Sequence, residues 1–245
     1  MGLSRFYCDK IDKGQVRLDK AEAHHLINVM RLGAGEKIEL FDGRGKLAKS
    51  VITEIKRKDV LVEVKEVQTF ERRRDGRVVI AASIAKGQRF DMLISKCTEL
   101  GADHIAAVVF ERTAKQVRGA GAVERYEKLS ISAAKQCGRV FVPRITGPMA
   151  PAETISFFKN EYPQGRFIFG SLNKEAKNIT ETVSGGSDVI AFVGPEGGMS
   201  DAEESMLINQ GAQGVRLTDT VLRIETAAMA FSAILCAGRS STETI

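Results

Sequence analysis

The chain has 245 residues, 43% of them hydrophobic and 27% charged, an ordinary composition for a globular protein long enough to bury a sizeable core. No apolar run reaches the ~20 residues of a membrane-spanning helix, and MGLSRFYCDK lacks the basic-then-apolar layout of a secretory signal, so a cytoplasmic protein is expected. Four scattered cysteines without a C-x-x-C pair, and three histidines without H-E-x-x-H spacing, predict reduced thiols and no metal.

The charge is unevenly placed. Residues 1–77 hold 18 Lys+Arg against 13 Asp+Glu, whereas residues 78–245 hold 18 of each, so the whole net charge of +5 lies in the first third. Such an asymmetry suits a surface that releases counterions from a polyanion. Its densest point is Arg72, Arg73, Arg74 and Arg77. The same cluster also reads as a solvated linker.

In chain order, residues Ala21 to Leu32 have helical spacing, with Leu26, Val29, Met30 and Leu32 apolar and Gly33 as the stop. Lys37 to Phe41, Leu47 to Ile55 and Val60 to Val67 alternate as strands, around turns at Asp42–Gly45 and Lys56–Asp59. Several strands with one short helix predict a small β-barrel over residues 1–72, of a kind that often carries a nucleic-acid-binding face.

From Val78 the grammar changes. Val78 to Ile84 is a continuous apolar run, suiting a strand buried on both faces. Phe90 to Leu100 is helical, with Met92, Leu93, Cys97 and Leu100 on one predicted face. His104–Phe110, Phe167–Gly170, Val189–Val193 and Val215–Leu217 read as strands, with helices at Val123–Gln136 and Glu225–Ala237. Strands alternating with helices over residues 73–245 predict an α/β domain with a mostly parallel sheet.

Two strand ends are unusual, and strand ends are where such sheets bind ligands. One runs into Gly194, Pro195, Glu196, Gly197 and Gly198, a tight loop whose backbone can lie close to a ligand. Ser200-Asp201-Ala202-Glu203 follows with the form of a capping box, so a positive helix end should face an anionic group. The loop lacks the Gly-Lys-Ser/Thr ending of a P-loop and the G-x-G-x-x-G of a dinucleotide site. The other strand end runs from Leu217 through Thr218, Val221 and Leu222 into Arg223-Ile224-Glu225-Thr226-Ala227, a polar turn opening a helix rich in small residues.

GPEGG, followed some twenty residues on by LxxxxLRxETA, resembles the SPOUT superfamily of knotted methyltransferases. Within it the chain is similar to the 16S ribosomal RNA uridine-N3 methyltransferases. Arg5-Phe6-Tyr7, His24-His25-Leu26 through Arg31, Lys86-Gly87, Lys96 to Gly101 and Gln136-Cys137-Gly138-Arg139 carry the likeness along the rest of the chain. The pattern departs at Thr218, where the family usually has Gly, at Thr220, where it has Arg, and at Cys97, where Ala is more frequent.

The resemblance implies a SPOUT-type domain with a C-terminal trefoil knot, preceded by a PUA-like β-barrel, whereas chain-topology rules alone predict an open, unknotted sheet. It implies S-adenosyl-L-methionine as cofactor, enclosed by Gly194 to Gly198, Leu217, Thr218, Val221, Leu222 and Thr226. It implies 16S ribosomal RNA as substrate, within the small subunit, and a homodimer. Arg223 is the expected cation beside the reacting base, unless it is a structural partner of Glu225 or Glu99. Glu196, Glu99 or solvent would take the proton. Arg5, Arg31, Arg72, Arg73, Arg74, Lys86, Arg112 and Arg139 are candidates for RNA phosphates. A related enzyme with another RNA target, or a non-catalytic RNA-binding protein, would share most of these features.

Overall fold

The computed structural model describes residues 3–113, 121–182 and 186–239. The chain divides into two compact units: Met1–Arg72 with Ile131–Val142, and Arg73–Ser130 with Pro143–Ile245.

The first unit is a five-stranded sheet of β1 (Arg5–Tyr7), β2 (Gly14–Arg17), β3 (Lys37–Phe41), β4 (Lys46–Lys56) and β5 (Asp59–Thr69), in the order β1-β3-β4-β5-β2. β1 runs parallel to β3, and the other pairings are antiparallel. The alternation in β3 to β5 puts Ile38, Leu40, Ala48, Ile52, Val60, Val62 and Val64 into one core with Phe6 and Leu26. Between β2 and β3 lies α1 (Lys20–His24), capped by Asp19, whose carboxylate accepts from the amides of Ala21 and Glu22 at 2.8 Å each. The helix widens into a π-helical turn over His25–Met30 and stops at Arg31, whose φ of 54° is left-handed. Gly33 was the expected stop, and Arg31 takes that role two residues earlier. The apolar stripe is also narrower than its spacing predicts: Leu26 is buried but Val29 and Met30 are exposed.

The second unit is a six-stranded sheet in which every pairing is parallel. Its elements are β6 (Val78–Ser83), α2 (Arg89–Glu99), β7 (His104–Val108), the first part of α3 (Gly121–Cys137, whose residues from Ile131 on belong to the first unit), β8 (Arg144–Met149), α4 (Pro151–Glu161), β9 (Arg166–Gly170), α5 (Ile179–Thr182), β10 (Val189–Val193), α6 (Asp201–Asn209), β11 (Gln213–Val215) and α7 (Ile224–Ala237). The strand order is β11-β9-β10-β6-β7-β8. Every residue of the central strands β6, β7 and β10 is buried, as continuous apolar runs require when helices cover both faces. On one face Phe90, Leu93, Ile94 and Cys97 of α2 and Ala228, Phe231 and Leu235 of α7 pack on the sheet. On the other, Ile155 and Phe158 of α4 and Leu207 of α6 do so.

Two local expectations change. Helix α2 turns Phe90, Leu93, Ile94 and Cys97 inward and leaves Met92 and Leu100 exposed, a stripe rotated from the predicted one. The strand expected over Val215–Leu217 is instead Gln213–Val215, and Leu217 already belongs to the following turn. β11 is an edge strand paired with β9, and its Val215 is buried in the core.

His104 is buried in β7 with its ring nitrogens 3.0 Å from the Tyr162 hydroxyl and 3.0 Å from the Thr146 hydroxyl. That hydrogen-bonded placement satisfies a core histidine and leaves it no ligand role. Among the described residues no three His, Cys, Asp or Glu side chains gather as a metal site, and no helix is long and apolar enough to cross a membrane.

Candidate functional site

At the carboxyl ends of β9, β10 and β11 the second unit opens into a cavity of about 580 Å³. Gly170, Val193 and Val215 end the three strands at its wall. This is where parallel sheets place ligands, and the volume is that of a pocket for a nucleoside-sized molecule.

The loop after β10 forms one side, with Gly194, Pro195, Glu196 and Gly198 lining the cavity. Its shape is held from within by the Gly198 amide donating to the Pro195 carbonyl at 2.9 Å. Gly198 has φ of +73°, which glycine adopts without steric cost. Gly194 lies so close to the side chain of Met199 that a Cβ there would sit 2.9 Å from Met199 Cγ. Gly197 is not part of the lining. A Cβ at Gly197 would meet the stem of Arg112 at 3.5–3.6 Å, so this glycine faces away from the cavity.

Helix α6 begins directly after this loop with the capping box expected from its sequence. Ser200 accepts from the Glu203 amide at 3.4 Å, and Glu203 accepts from the Ser200 amide at 2.9 Å.

The turn after β11 forms the other side, with Leu217, Thr218, Val221 and Leu222 lining the cavity. The Thr218 hydroxyl donates to the Thr220 carbonyl at 2.8 Å and accepts from the Thr220 amide at 3.3 Å, a side-chain-stabilised turn where a glycine would have none. Arg216 donates to Asp219 at 3.0 Å across the same turn.

Arg223 is the N-cap of α7, in extended conformation at φ −68° and ψ 156°, and its side chain is exposed. Among the described residues it forms no ion pair. The two partners considered for it are occupied elsewhere: Glu225 is buried with Arg89 3.9 Å away, and Glu99 is held by Lys96 at 2.8 Å. Thr226 is exposed in the first turn of α7 and does not line the cavity, although Ile224 and Ala227 on either side do.

Sequence reasoning missed the part of the wall contributed by the segment after β9, namely Ser171, Leu172 and Lys174, and also Met199 and Glu204. Nothing in the spacing of Ser171–Lys174 marks it. Only the pairing of β9 between β10 and β11 puts its end beside the two loops.

The basic candidates are scattered in role. Arg31 and Lys86 are exposed. Arg5 is 10% exposed, paired with Glu39 at 2.9 Å and donating to the Gly138 carbonyl. Arg72 donates to the Val142 carbonyl at 2.9 Å with its guanidinium over the Phe141 ring. Arg112 donates to the carbonyls of Gly197 and Met199 at 3.0 and 3.4 Å. Arg73, Arg74 and Arg139 also have interactions of their own.

Known proteins match along the whole arrangement. Residues 72–236 match the RNA methyltransferase domain, and residues 18–65 match the PUA domain of RNA methyltransferases. The ribosomal RNA small subunit methyltransferase E of Mycobacterium bovis is 30% identical, over 91% of this chain and 87% of its own length. The protein of the same name from Bacillus subtilis is 28% identical, over 87% and 86%. Among solved structures, a putative methyltransferase from Legionella pneumophila in complex with S-adenosylmethionine superposes with a TM-score of 0.87 at 27% identity, covering 98% of this chain and 99% of that one. The ribosomal RNA small subunit methyltransferase E from Neisseria gonorrhoeae, bound to S-adenosyl methionine, superposes with a TM-score of 0.86 at 29% identity, covering 96% and 98%.

Proposed function

The chain belongs to the RNA methyltransferase family, among the ribosomal RNA small subunit methyltransferase E proteins, and from that premise we propose that it methylates a uridine of 16S ribosomal RNA at N3, using S-adenosylmethionine. The observation that carries the reading is the cavity between the Gly194–Gly198 loop and the Leu217–Leu222 turn, at the strand ends of a parallel sheet. The lining fits the cofactor: close backbone from Gly194 and Gly198, apolar walls from Val193, Leu217 and Leu222, and carboxylates at Glu196, Glu204 and Asp219 that can accept from hydroxyl and amino groups. When bound there, the cofactor supplies an electrophilic methyl group on a sulfonium.

The protein's part is then to align a nucleophile and manage its proton. Uridine N3 carries a hydrogen and is a poor nucleophile until that hydrogen leaves. Arg223 is exposed beside the cavity, without an ion-pair partner among the described residues, and is suited to stabilise the imidate charge that develops on the base. Glu196 lines the cavity and can accept the proton, with water as the other acceptor; Glu99 is paired with Lys96 and does not line the cavity.

Residues 1–72 are assigned to RNA binding, with the exposed Arg31 as a cation for phosphate, and residues 73–245 to the SPOUT methyltransferase domain, where the exposed Lys86 is a second candidate. The same reading includes a C-terminal trefoil knot, a homodimer, the small ribosomal subunit as substrate and a cytoplasmic site of action. Its support is the ordered motif set and the likeness to the small subunit methyltransferase E proteins.

The deciding experiment is nucleoside mass spectrometry of ribosomal RNA from a strain lacking this protein. Loss of one N3-methyluridine from 16S RNA, restored by the gene, is expected. Loss of a 2′-O-methylated nucleoside or of a transfer RNA modification instead would reassign the target. An unchanged nucleoside profile would point to a non-catalytic role.

A further inference from the structure

The turn after β7, Val109–Thr113, lies behind the Gly194–Met199 loop and touches it through polar contacts. Phe110 is buried, and its amide donates to the Thr113 hydroxyl at 2.8 Å. That hydroxyl also lies 3.0 Å from the Ser83 hydroxyl at the end of β6, so the turn is tied to the central strand. From this anchored base two groups reach across. The Glu111 amide donates to Glu203 at 2.7 Å, the same carboxylate that caps α6. The Arg112 guanidinium donates to the Gly197 and Met199 carbonyls, and its stem occupies the side of Gly197 on which a Cβ would project.

The loop itself has one internal backbone bond, from Gly198 to Pro195, and two adjacent glycines that leave it little intrinsic rigidity. Arg112 and Gly197 are exposed and Met199 is buried, and the arginine gives the two carbonyls one charge-assisted donor in common. Among the described residues, no acidic side chain pairs with Arg112.

We infer that Arg112 is a positioning residue that preorganises the Gly194–Gly198 loop for the ligand of the adjoining cavity, rather than a contact to RNA phosphate. The inference rests on the cofactor assignment above for the identity of that ligand, though not for the ordering of the loop. Its consequence is that ordering the loop is done before the ligand arrives, so affinity depends on a residue outside the cavity lining.

The test uses Arg112→Met, which keeps most of the stem and removes the donors, and Arg112→Lys, which keeps a cation and a donor. In cofactor-free protein, Arg112→Met should speed amide exchange at Gly198 and Met199 while amides of β6 and β10 are unchanged. Its dissociation constant for S-adenosylmethionine should rise about tenfold, the scale of one charged hydrogen bond. KM for the cofactor should rise similarly, with kcat at saturation nearly unaltered, and Arg112→Lys should recover most of each effect.

Unchanged exchange at Gly198 and Met199 in Arg112→Met would overturn the inference. So would an unchanged cofactor affinity accompanied by a log–log salt slope for RNA binding lowered by about 0.7–0.9, the signature of one lost phosphate contact. If the wild-type protein bound no S-adenosylmethionine, the proposed function would fail, and the exchange measurement would still decide the role of Arg112.

Discussion

The glycines of the Gly194–Gly198 loop have unequal roles, because each faces a different neighbour. Gly194→Ala places a methyl 2.9 Å from Met199 Cγ, so the loop or Met199 must move. Overpacking of that kind costs about 1–3 kcal/mol, and cofactor affinity measured by calorimetry should fall with it. Gly197→Ala meets only the Arg112 stem at ordinary contact distance and should bind as the wild type does. Equal losses in the two variants would show that the loop acts as one unit. Arg223 is a sharper case. Its lack of ion-pair partners among the described residues predicts that Arg223→Ala leaves the melting temperature nearly unchanged, within about 0.5 kcal/mol of stability. Single-turnover methyl transfer should drop by about 10²–10³, the scale of losing one transition-state charge stabiliser. A large stability loss with a normal rate constant would make it a structural cap of α7.

Among secondary-structure elements, burial separates cations that hold the fold from cations that can meet a phosphate. Arg5 in β1 is part-buried beside Glu39 of β3, so Arg5→Ala should destabilise the first unit by about 1–3 kcal/mol, as losing a charged hydrogen-bond partner does. Denaturant unfolding followed by a probe in that unit measures this. Lys86 after β6 is exposed, and Lys86→Ala should leave stability alone while lowering the salt slope of RNA binding by about 0.7–0.9. Were the slope unchanged, Lys86 would be only a solvated surface charge. Helix α2 makes a related point about apolar residues. Leu93, Cys97 and Leu100 fit one helical stripe by spacing, as do Phe90, Leu93, Ile94 and Cys97, and only the sheet beneath selects the second.

The whole molecule carries a pH dependence that its surface charges do not reveal. Burial pushes the Cys97 thiol up from 9.0 to about 12, and burial likewise pushes the Tyr162 phenol up from 10.0 to about 12, partly opposed by Arg77. Both groups keep their protons in the folded state at pH values where the unfolded chain releases them. Their contribution to stability is therefore complete below about pH 9 and declines as pH rises from there towards 12. Urea unfolding at a series of alkaline pH values should display this fall, and Tyr162→Phe should make it shallower above pH 10. A flat profile from pH 9 to 12 would mean that neither group is sequestered. Cys97 should also resist alkylation in the native protein at pH 8 and react once the chain unfolds.

By itself the sequence determined the features whose causes are local. Alternation in Lys37–Phe41 and Val60–Val67, the unbroken apolar runs of Val78–Ser83 and Val189–Val193, and the Ser200–Glu203 capping box each declare an element within a few residues. Two glycine-bearing or polar turns at apolar strand ends marked both sides of the cavity before any strand order was known. The tertiary structure alone decided what depends on distant partners. It set β9 between β10 and β11, which brought Ser171–Lys174 to the cavity wall, and it turned Gly197 towards Arg112 and away from the ligand space. It consumed Arg5 in a pair with Glu39 and spared Arg223 by giving Glu225 to Arg89. The reason is physical: periodicity records which face of an element avoids water, but a charge or a glycine is satisfied by whichever group the folded chain brings within a few ångströms.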